Sequence, residues 1–307
     1  MKTKIVFLGT PDFSVPTLEK LYLDDDIDVG FAITKIDSKS NRGQKINFSK
    51  VKEYAISKNI GVLQPISIKD DRDVINRIRE YNPDFLIVVA YGQILSKEIL
   101  DIPKYACING HASLLPKYRG ASPIQTAILN GDSITGTTSM LMDVGLDTGD
   151  ILEQNSIKIY EKETSDSLFD KLSILTADTI LHTVKNFKNI KPVKQDDSLS
   201  SKSIIIKKEY GKIDFKNETA VDIERKIRAY TSWPSAFFEI NDLQYKIWDS
   251  EVVDSVNLVN AKVFSDSIYI INDNMFAKCK DGFLKINVIQ KSGKSKMNIK
   301  DFINGLK

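Results

Sequence analysis

Short apolar runs alternate with helically spaced apolar residues over the first 190 positions of this 307-residue chain, and nothing else in the sequence restricts the fold as strongly. Ile5-Val6-Phe7-Leu8 is an unbroken apolar run closed by Gly9, and Phe85 to Ala90 is another, following Asn82-Pro83. Runs without polar alternation suit strands covered on both faces, as in a parallel sheet. Val29 to Thr34, Gly61 to Leu63 and Tyr105 to His111 read as further strands. Helical spacing fills the intervals: Phe13 to Leu23, a segment from Val51 behind a Ser49 cap, Asp70 to Tyr81, and Pro123 to Asn130 with Ser122 as cap. Leu168, Phe169, Leu172, Leu175, Ile180, Leu181 and Val184 predict a long amphipathic helix over Thr164 to Phe187. This alternation predicts an α/β fold with a doubly wound, mostly parallel sheet. Its ligand site is expected outside the carboxyl ends of the strands, at a switch point.

The texture changes near Ile190. Lys191 to Ser203 is polar and serine-rich, which is linker composition. Beyond it, Ile223, Ile227 and Tyr230 mark one helix. The runs Ala236–Ile240, Tyr245–Val253, Ala261–Phe264, Ile268–Ile271 and Leu284–Ile289 are separated by turn signals such as Asn241-Asp242 and Asn272-Asp273-Asn274. They predict a small barrel-like all-β domain. The expected organisation is therefore a domain over residues 1–189, a linker over 190–203 and a second domain over 204–307.

Charge follows the same division. Residues 1–203 carry 26 basic and 27 acidic side chains, whereas 204–307 carry 17 and 14. The stretch Phe276 to Lys307 holds eight lysines against Asp281 and Asp301. Such a run is either a solvated face or a surface that attracts a polyanion. No apolar run reaches the ~18 residues of a membrane span, so no membrane partner is expected. Met1-Lys2-Thr3-Lys4 and the short run after it read as a strand and turn rather than a secretory signal. Cys107 and Cys279, two and far apart, argue against a disulfide framework and for a reducing, cytoplasmic compartment.

Two segments concentrate polar chemistry. In Cys107-Ile108-Asn109-Gly110-His111, Asn109 and His111 are two apart on a predicted strand and so share a face where it ends. They are either a satisfied polar pair or the start of a site. Met142-Asp143-Val144-Gly145-Leu146-Asp147-Thr148-Gly149-Asp150 is a tight acidic loop, either a plain connection or a means of bringing a carboxylate to a histidine. His182, the other histidine, falls within a helical pattern and reads as structural or solvent-facing. The sequence has no Cys/His cluster of zinc spacing, no dinucleotide or phosphate-loop glycine pattern and no GxSxG elbow, so no metal is expected. An Asn–His–Asp set without an evident nucleophile suggests group transfer through a tetrahedral intermediate.

At these segments the chain resembles the 10-formyltetrahydrofolate-dependent formyltransferases, and among them the tRNA-acting members. The resemblance is carried by Phe7-Leu8-Gly9-Thr10-Pro11-Asp12-Phe13, by 88–95, by Asn109-Gly110-His111-Ala112-Ser113-Leu114-Leu115-Pro116-Lys117-Tyr118-Arg119-Gly120, by Pro123-Ile124-Gln125, by 142–150 and by Trp233-Pro234. It implies a Rossmann-like catalytic domain followed by an OB-like β-barrel that contacts tRNA. It implies that Asn109, His111 and Asp147 are catalytic and that Ser113, Leu114, Leu115 and Pro116 bind folate. The pterin is then expected against the run from Val89 to Leu95 and the loop Val144 to Asp147. Arg42 and Lys45, in an inserted loop over Lys35 to Lys50, would meet the tRNA acceptor end. The implied reaction moves a formyl group from 10-formyltetrahydrofolate to the α-amino group of methionyl-initiator tRNA, by a monomer that uses no metal. Another folate-dependent N-formyltransferase, acting on a sugar-nucleotide amine or glycinamide ribonucleotide, is the alternative. The chain departs from the family at Gly110, where a bulkier residue is usual, and in an inserted loop without prolines.

Overall fold

The apolar run at the start of the chain forms β1 (Thr3–Gly9), buried from Ile5 to Gly9. It leads through a short 3-10 turn into α1 (Val15–Leu23) and then β2 (Ile27–Ile33). After these come β3 (Ser38–Lys39), β4 (Ile46–Asn47), α2 (Lys50–Ser57), β5 (Gly61–Leu63), α3 (Arg72–Tyr81), β6 (Phe85–Val89), α4 (Lys97–Leu100) and β7 (Ala106–His111). The chain continues with α5 (Pro123–Leu129), β8 (Ile134–Leu141), β9 (Ile151–Lys158), α6 (Ser165–Asn186) and α7 (Ala220–Ala229). It ends with β10 (Ala236–Ile240), β11 (Leu243–Val253), β12 (Lys262–Ser265), β13 (Ile268–Ile271), β14 (Asn274–Lys278), β15 (Phe283–Lys291), β16 (Met297–Asn298) and α8 (Ile299–Asn304). This computed structural model describes residues 2–39 and 46–306.

The chain divides into two units. The first comprises Met1–Gly120, Ile134–Lys158 and Phe169–Ser203; the second comprises Ala121–Ser133, Ile159–Leu168 and Ile204–Lys307. In the first, seven strands form one sheet in the order β5-β2-β1-β6-β7-β8-β9. The pairs from β5 to β7 are parallel, while β7–β8 and β8–β9 are antiparallel. Strand order reverses between β1 and β6, which places the expected crevice at the ends of β1, β6 and β7. One core lies under β1, β2 and β6, where Val6, Leu8, Ile33 and Leu86 pack with Ile75 and Ile78 of α3.

Local signals behave as their chemistry requires. Ser49 caps α2 by accepting from Lys52 N–H, and Asp71 caps α3 by accepting from Val74 N–H. Ser122 departs from expectation. It stands at the N-cap of α5, but its side chain makes no capping bond, because its backbone (φ −137°, ψ 52°) is not the extended conformation such caps use. Strands β8 and β9 are also new relative to the apolar pattern. β8 reads Ile-Thr-Gly-Thr-Thr-Ser-Met-Leu; its buried Thr137 and Ser139 meet Thr176 and Thr183 of α6, and Thr138 meets the turn after β7.

The second unit carries a curled antiparallel half-barrel in the order β10-β11-β15-β14-β13-β12, with β16 on β15. Its two-residue hairpins fall at Asn241-Asp242 (φ 48° and 61°) and Asn272-Asp273 (φ 47° and 59°). Positive φ at both central residues is the primed turn that Asn and Asp tolerate. Ile223 and Ile227 of α7, Phe302 of α8, and Phe238, Tyr245 and Ile286 of the sheet share its core.

Candidate active site

β7 fixes two of the polar side chains. Its register sets Val88 of β6 beside Asn109 and Val89 beside Gly110, with Met140 of β8 on the other side of Asn109. Strand alternation sends Asn109 and His111 to one face and Gly110 to the other. His111 is 7% exposed, its carbonyl accepts from Thr137 Oγ1 at 3.1 Å, and its Nε2 lies 3.0 Å from the carbonyl oxygen of Tyr118. A carbonyl only accepts, so that contact puts a hydrogen on Nε2. In the neutral ring the lone pair is then on Nδ1.

The third side chain comes from the turn between β8 and β9. Asp143 organises that turn by accepting from Gly145 N–H at 2.9 Å and from Thr148 Oγ1 at 2.8 Å. Gly149 closes it, since a Cβ there would lie 1.8 Å from the Leu141 carbonyl oxygen. Asp147 has φ +55°, an unusual conformation for a residue with a side chain. Its Oδ2 accepts from Gly120 N–H at 2.8 Å, its Oδ1 lies 3.4 Å from Asn109 Nδ2, and Oδ2 is 3.7 Å from His111 Nδ1. That last separation is longer than a hydrogen bond but short for an electrostatic contact between largely buried groups. Amide, imidazole and carboxylate therefore converge within one unit. The carboxylate faces the ring nitrogen that is free to exchange a proton.

The other expected residues are distributed less simply. Ser113 and Leu115 are buried, and their polar atoms are engaged inside the turn after β7. Ser113 Oγ donates to the Lys117 carbonyl at 2.6 Å, and Leu115 N–H donates to Thr138 Oγ1 at 3.1 Å. Leu114 and Pro116 are half-buried. Val89 and Leu95 are buried in the protein interior, and the exposed apolar side chain of that loop is Ile94, at 77%. Val144 (72%) and Leu146 (67%) stand exposed on the turn that carries Asp147. Arg42 and Lys45 lie outside the described residues. His182 is solvent-facing and pairs with Glu153 at 2.7 Å. Among the described residues no group of three or more His, Cys, Asp or Glu side chains could hold a metal ion. Burial pushes the Cys107 thiol, two residues before Asn109, up to about 12. Tyr118 and Gly120, which the sequence marks only as part of the run 109–120, also contribute to the site, and so does Gln195, which no sequence signal marks.

Fold and site together define an α/β protein with a largely buried Asn–His–Asp cluster and a β-rich second unit. Residues 3–184 match the family described as formyl transferase, and residues 205–307 match the formyl transferase C-terminal domain. The chain belongs to the formyl transferase family. Over 304 residues it is 43% identical to the methionyl-tRNA formyltransferase of Clostridium acetobutylicum, covering 98% of this chain and 96% of that one. Over 305 residues it is 44% identical to the methionyl-tRNA formyltransferase of Francisella philomiragia, covering 99% and 96%. A solved sugar 3N-formyl transferase, determined in the presence of dTDP and 5-N-formyl-THF, shares the fold. Its TM-score is 0.65 at 23% identity, over 96% of this chain and all of that one.

Proposed function

We propose that this chain transfers the formyl group of 10-formyltetrahydrofolate to the α-amino group of methionyl-initiator tRNA. The observation that carries this reading is the match to methionyl-tRNA formyltransferases along nearly the whole chain, the C-terminal residues included. The donor fits the residues available. A pterin is a flat ring with polar edges, and Ile94, Val144 and Leu146 offer exposed aliphatic surface on the loops that flank Asn109 and Asp147. When bound, the folate supplies an activated formyl group on nitrogen; the protein supplies orientation, charge and proton transfer.

Asn109 would direct one amide N–H to the formyl oxygen, where negative charge develops as the amine attacks. Loss of one such donor typically costs about 10²–10³ in kcat. His111 would accept the proton of the attacking nitrogen at Nδ1, because Nε2–H is committed to Tyr118, and would return it to the folate nitrogen as the tetrahedral intermediate collapses and the bond between that nitrogen and the formyl carbon breaks. Asp147 would hold the resulting imidazolium and keep Asn109 aligned through its other oxygen. Arg42 and Lys45 are assigned to the acceptor end of the tRNA and the lysine-rich residues 278–300 to its backbone. All three catalytic groups come from one unit of one chain, which suits a monomer working in the cytoplasm where its tRNA is charged. No described helix is long and apolar enough to cross a membrane.

Formylation of initiator methionyl-tRNA, followed with purified wild type, His111→Ala and Asp147→Asn, tests the proposal. Wild type is expected to turn over, and each variant to fold normally with kcat lowered by about 10²–10⁴-fold. A wild-type enzyme that leaves charged initiator tRNA unmodified, or an unchanged His111→Ala rate, refutes it.

A further inference from the structure

Asp147 is held by its backbone as well as by its carboxylate, and the residue that holds the backbone lies 48 positions further along the chain. Gln195, 5% exposed, donates from Nε2 to two carbonyls of the catalytic turn, Asp147 O at 2.9 Å and Gly149 O at 2.7 Å. Its Oε1 accepts from Arg119 Nε at 3.1 Å and from a terminal guanidinium nitrogen of Arg119 at 2.8 Å. Guanidinium only donates and carbonyls only accept, so a single amide orientation satisfies all four contacts. Arg119 is itself anchored: its N–H donates to Ser201 O at 2.9 Å, its carbonyl accepts from Ser203 N–H at 2.8 Å, and its guanidinium reaches Asp197 at 2.8 Å. The next residue, Gly120, donates its N–H to the Asp147 carboxylate. The Asp143 bonds to Gly145 and Thr148 are internal to the turn, whose residues Asp143 to Leu146 are exposed, and Asp147 sits at positive φ, so the Gln195 contacts tie its backbone to the segment that follows α6.

We infer that Gln195 is a positioning residue for formyl transfer. Clamped by Arg119, it fixes the backbone of Asp147 and Gly149 and so the placement of the Asp147 carboxylate opposite His111 Nδ1. It touches neither substrate. The inference rests on the formyl-transfer reading, in which Asp147 acts on His111. A displacement of about 1 Å in such a group can cost about 10²-fold in rate.

The test is a double-mutant cycle read by single-turnover formylation of initiator methionyl-tRNA at saturating substrates. Gln195→Met keeps the volume and removes all four hydrogen bonds. In the wild-type background it is expected to lower the rate 10- to 100-fold while leaving KM for the tRNA within about threefold. In the Asp147→Asn background, where the carboxylate is already lost, it is expected to change the rate by less than about twofold. A residue with a merely structural part would lower both backgrounds by the same factor, and that result overturns the inference, as does an unchanged rate in Gln195→Met alone. If Gln195→Met fails to fold, Gln195→Glu carries the same comparison, because it retains the Arg119 contact and replaces the two N–H donors with a carboxylate oxygen that the Asp147 and Gly149 carbonyls repel. A wild-type enzyme inactive on this tRNA would overturn the parent reading instead, so the two failures are distinguishable.

Discussion

Gly110 sits between the two strand residues of the site and points away from it. A Cβ built there would lie 2.7 Å from Thr176 Cγ2 and 3.3 Å from both Ile180 Cγ1 and Val89 Cγ2. Its glycine therefore sets how closely α6 packs on β7, directly behind Asn109 and His111. A glycine in a strand costs about 0.5–1 kcal/mol against alanine, but here alanine must displace a buried side chain, which costs about 1–3 kcal/mol. Gly110→Ala is expected to be destabilised in urea unfolding, and Thr176→Ser, which removes the offending methyl and keeps the hydroxyl, to recover most of the loss. A Gly110→Ala protein as stable as wild type would mean that α6 yields freely. The cysteines follow the same logic of burial. Both thiols are pushed up to about 12 by desolvation, so little reactive thiolate exists at pH 8. Neither is expected to react with a disulfide reagent until the protein unfolds; prompt stoichiometric labelling of the native protein would contradict this.

Helix α6 shows what periodicity can and cannot reveal. Leu168, Leu172, Ile180 and Val184 are buried as their spacing predicts, but Ser173, Thr176, Thr179 and Thr183 are buried with them. Ser173 Oγ donates to the Asp170 carbonyl of its own helix at 2.8 Å, but the threonine hydroxyls meet the sheet in pairs, Thr176 with Thr137 at 2.9 Å, Thr183 with Ser139 at 2.7 Å and Thr179 with Asn155 at 2.9 Å. A scale that counts only apolar residues gives this face and β8 no signal, because the cost of burying each hydroxyl is met by a partner remote in sequence. The end of α6 is fixed by charge. Lys185 reaches Asp24 at 2.8 Å and Asp26 at 3.2 Å; its hydrogen bond to Asp24 holds that carboxyl below the usual carboxylate range, and the same aspartates hold the ammonium above its ordinary value. A lowered carboxylate stabilises the fold above its unfolded value and loses that contribution as pH falls through the folded one. A raised ammonium stabilises below its unfolded value and loses it as pH rises through the folded one. Asp24→Asn is therefore expected to be less stable than wild type near pH 7, with the difference shrinking below about pH 3.8 and, as Lys185 deprotonates, above about 10.5. Thermal unfolding across that range checks it; a pH-independent difference would assign the effect to packing instead.

At the scale of the molecule, the sequence announces two kinds of architecture and a charge difference between them. The parallel strands were legible because they are continuous apolar runs, and the hairpins because Asn-Asp pairs mark them. Asn109 and His111 were legible because two residues apart on a strand means one face. Gln195 was not, because a lone glutamine in a polar, serine-rich segment carries no signal until the chain folds it under the turn that holds Asp147. The charge difference leads to a functional expectation. Lys278, Lys280, Lys294, Lys296 and Lys300 are exposed; Lys278 pairs with Phe283 at the start of β15, whereas Lys294 and Lys296 follow its other end, where Lys296 stacks 3.1 Å over the Trp248 ring. A polyanion bound by such a surface releases counterions, so its affinity falls with salt by a log–log slope of about 0.7–0.9 per phosphate contact. KM for initiator methionyl-tRNA is accordingly expected to climb steeply between 50 and 200 mM salt, on the order of the range over which such slopes are read, while KM for the folate donor changes little. Replacing Lys278, Lys280, Lys294 and Lys296 together by glutamine should flatten that slope by roughly the number of contacts removed and leave kcat at saturating tRNA near wild type. If the slope is shallow from the start, or survives the four substitutions intact, the lysines are a solvated face and the tRNA is held elsewhere on the chain.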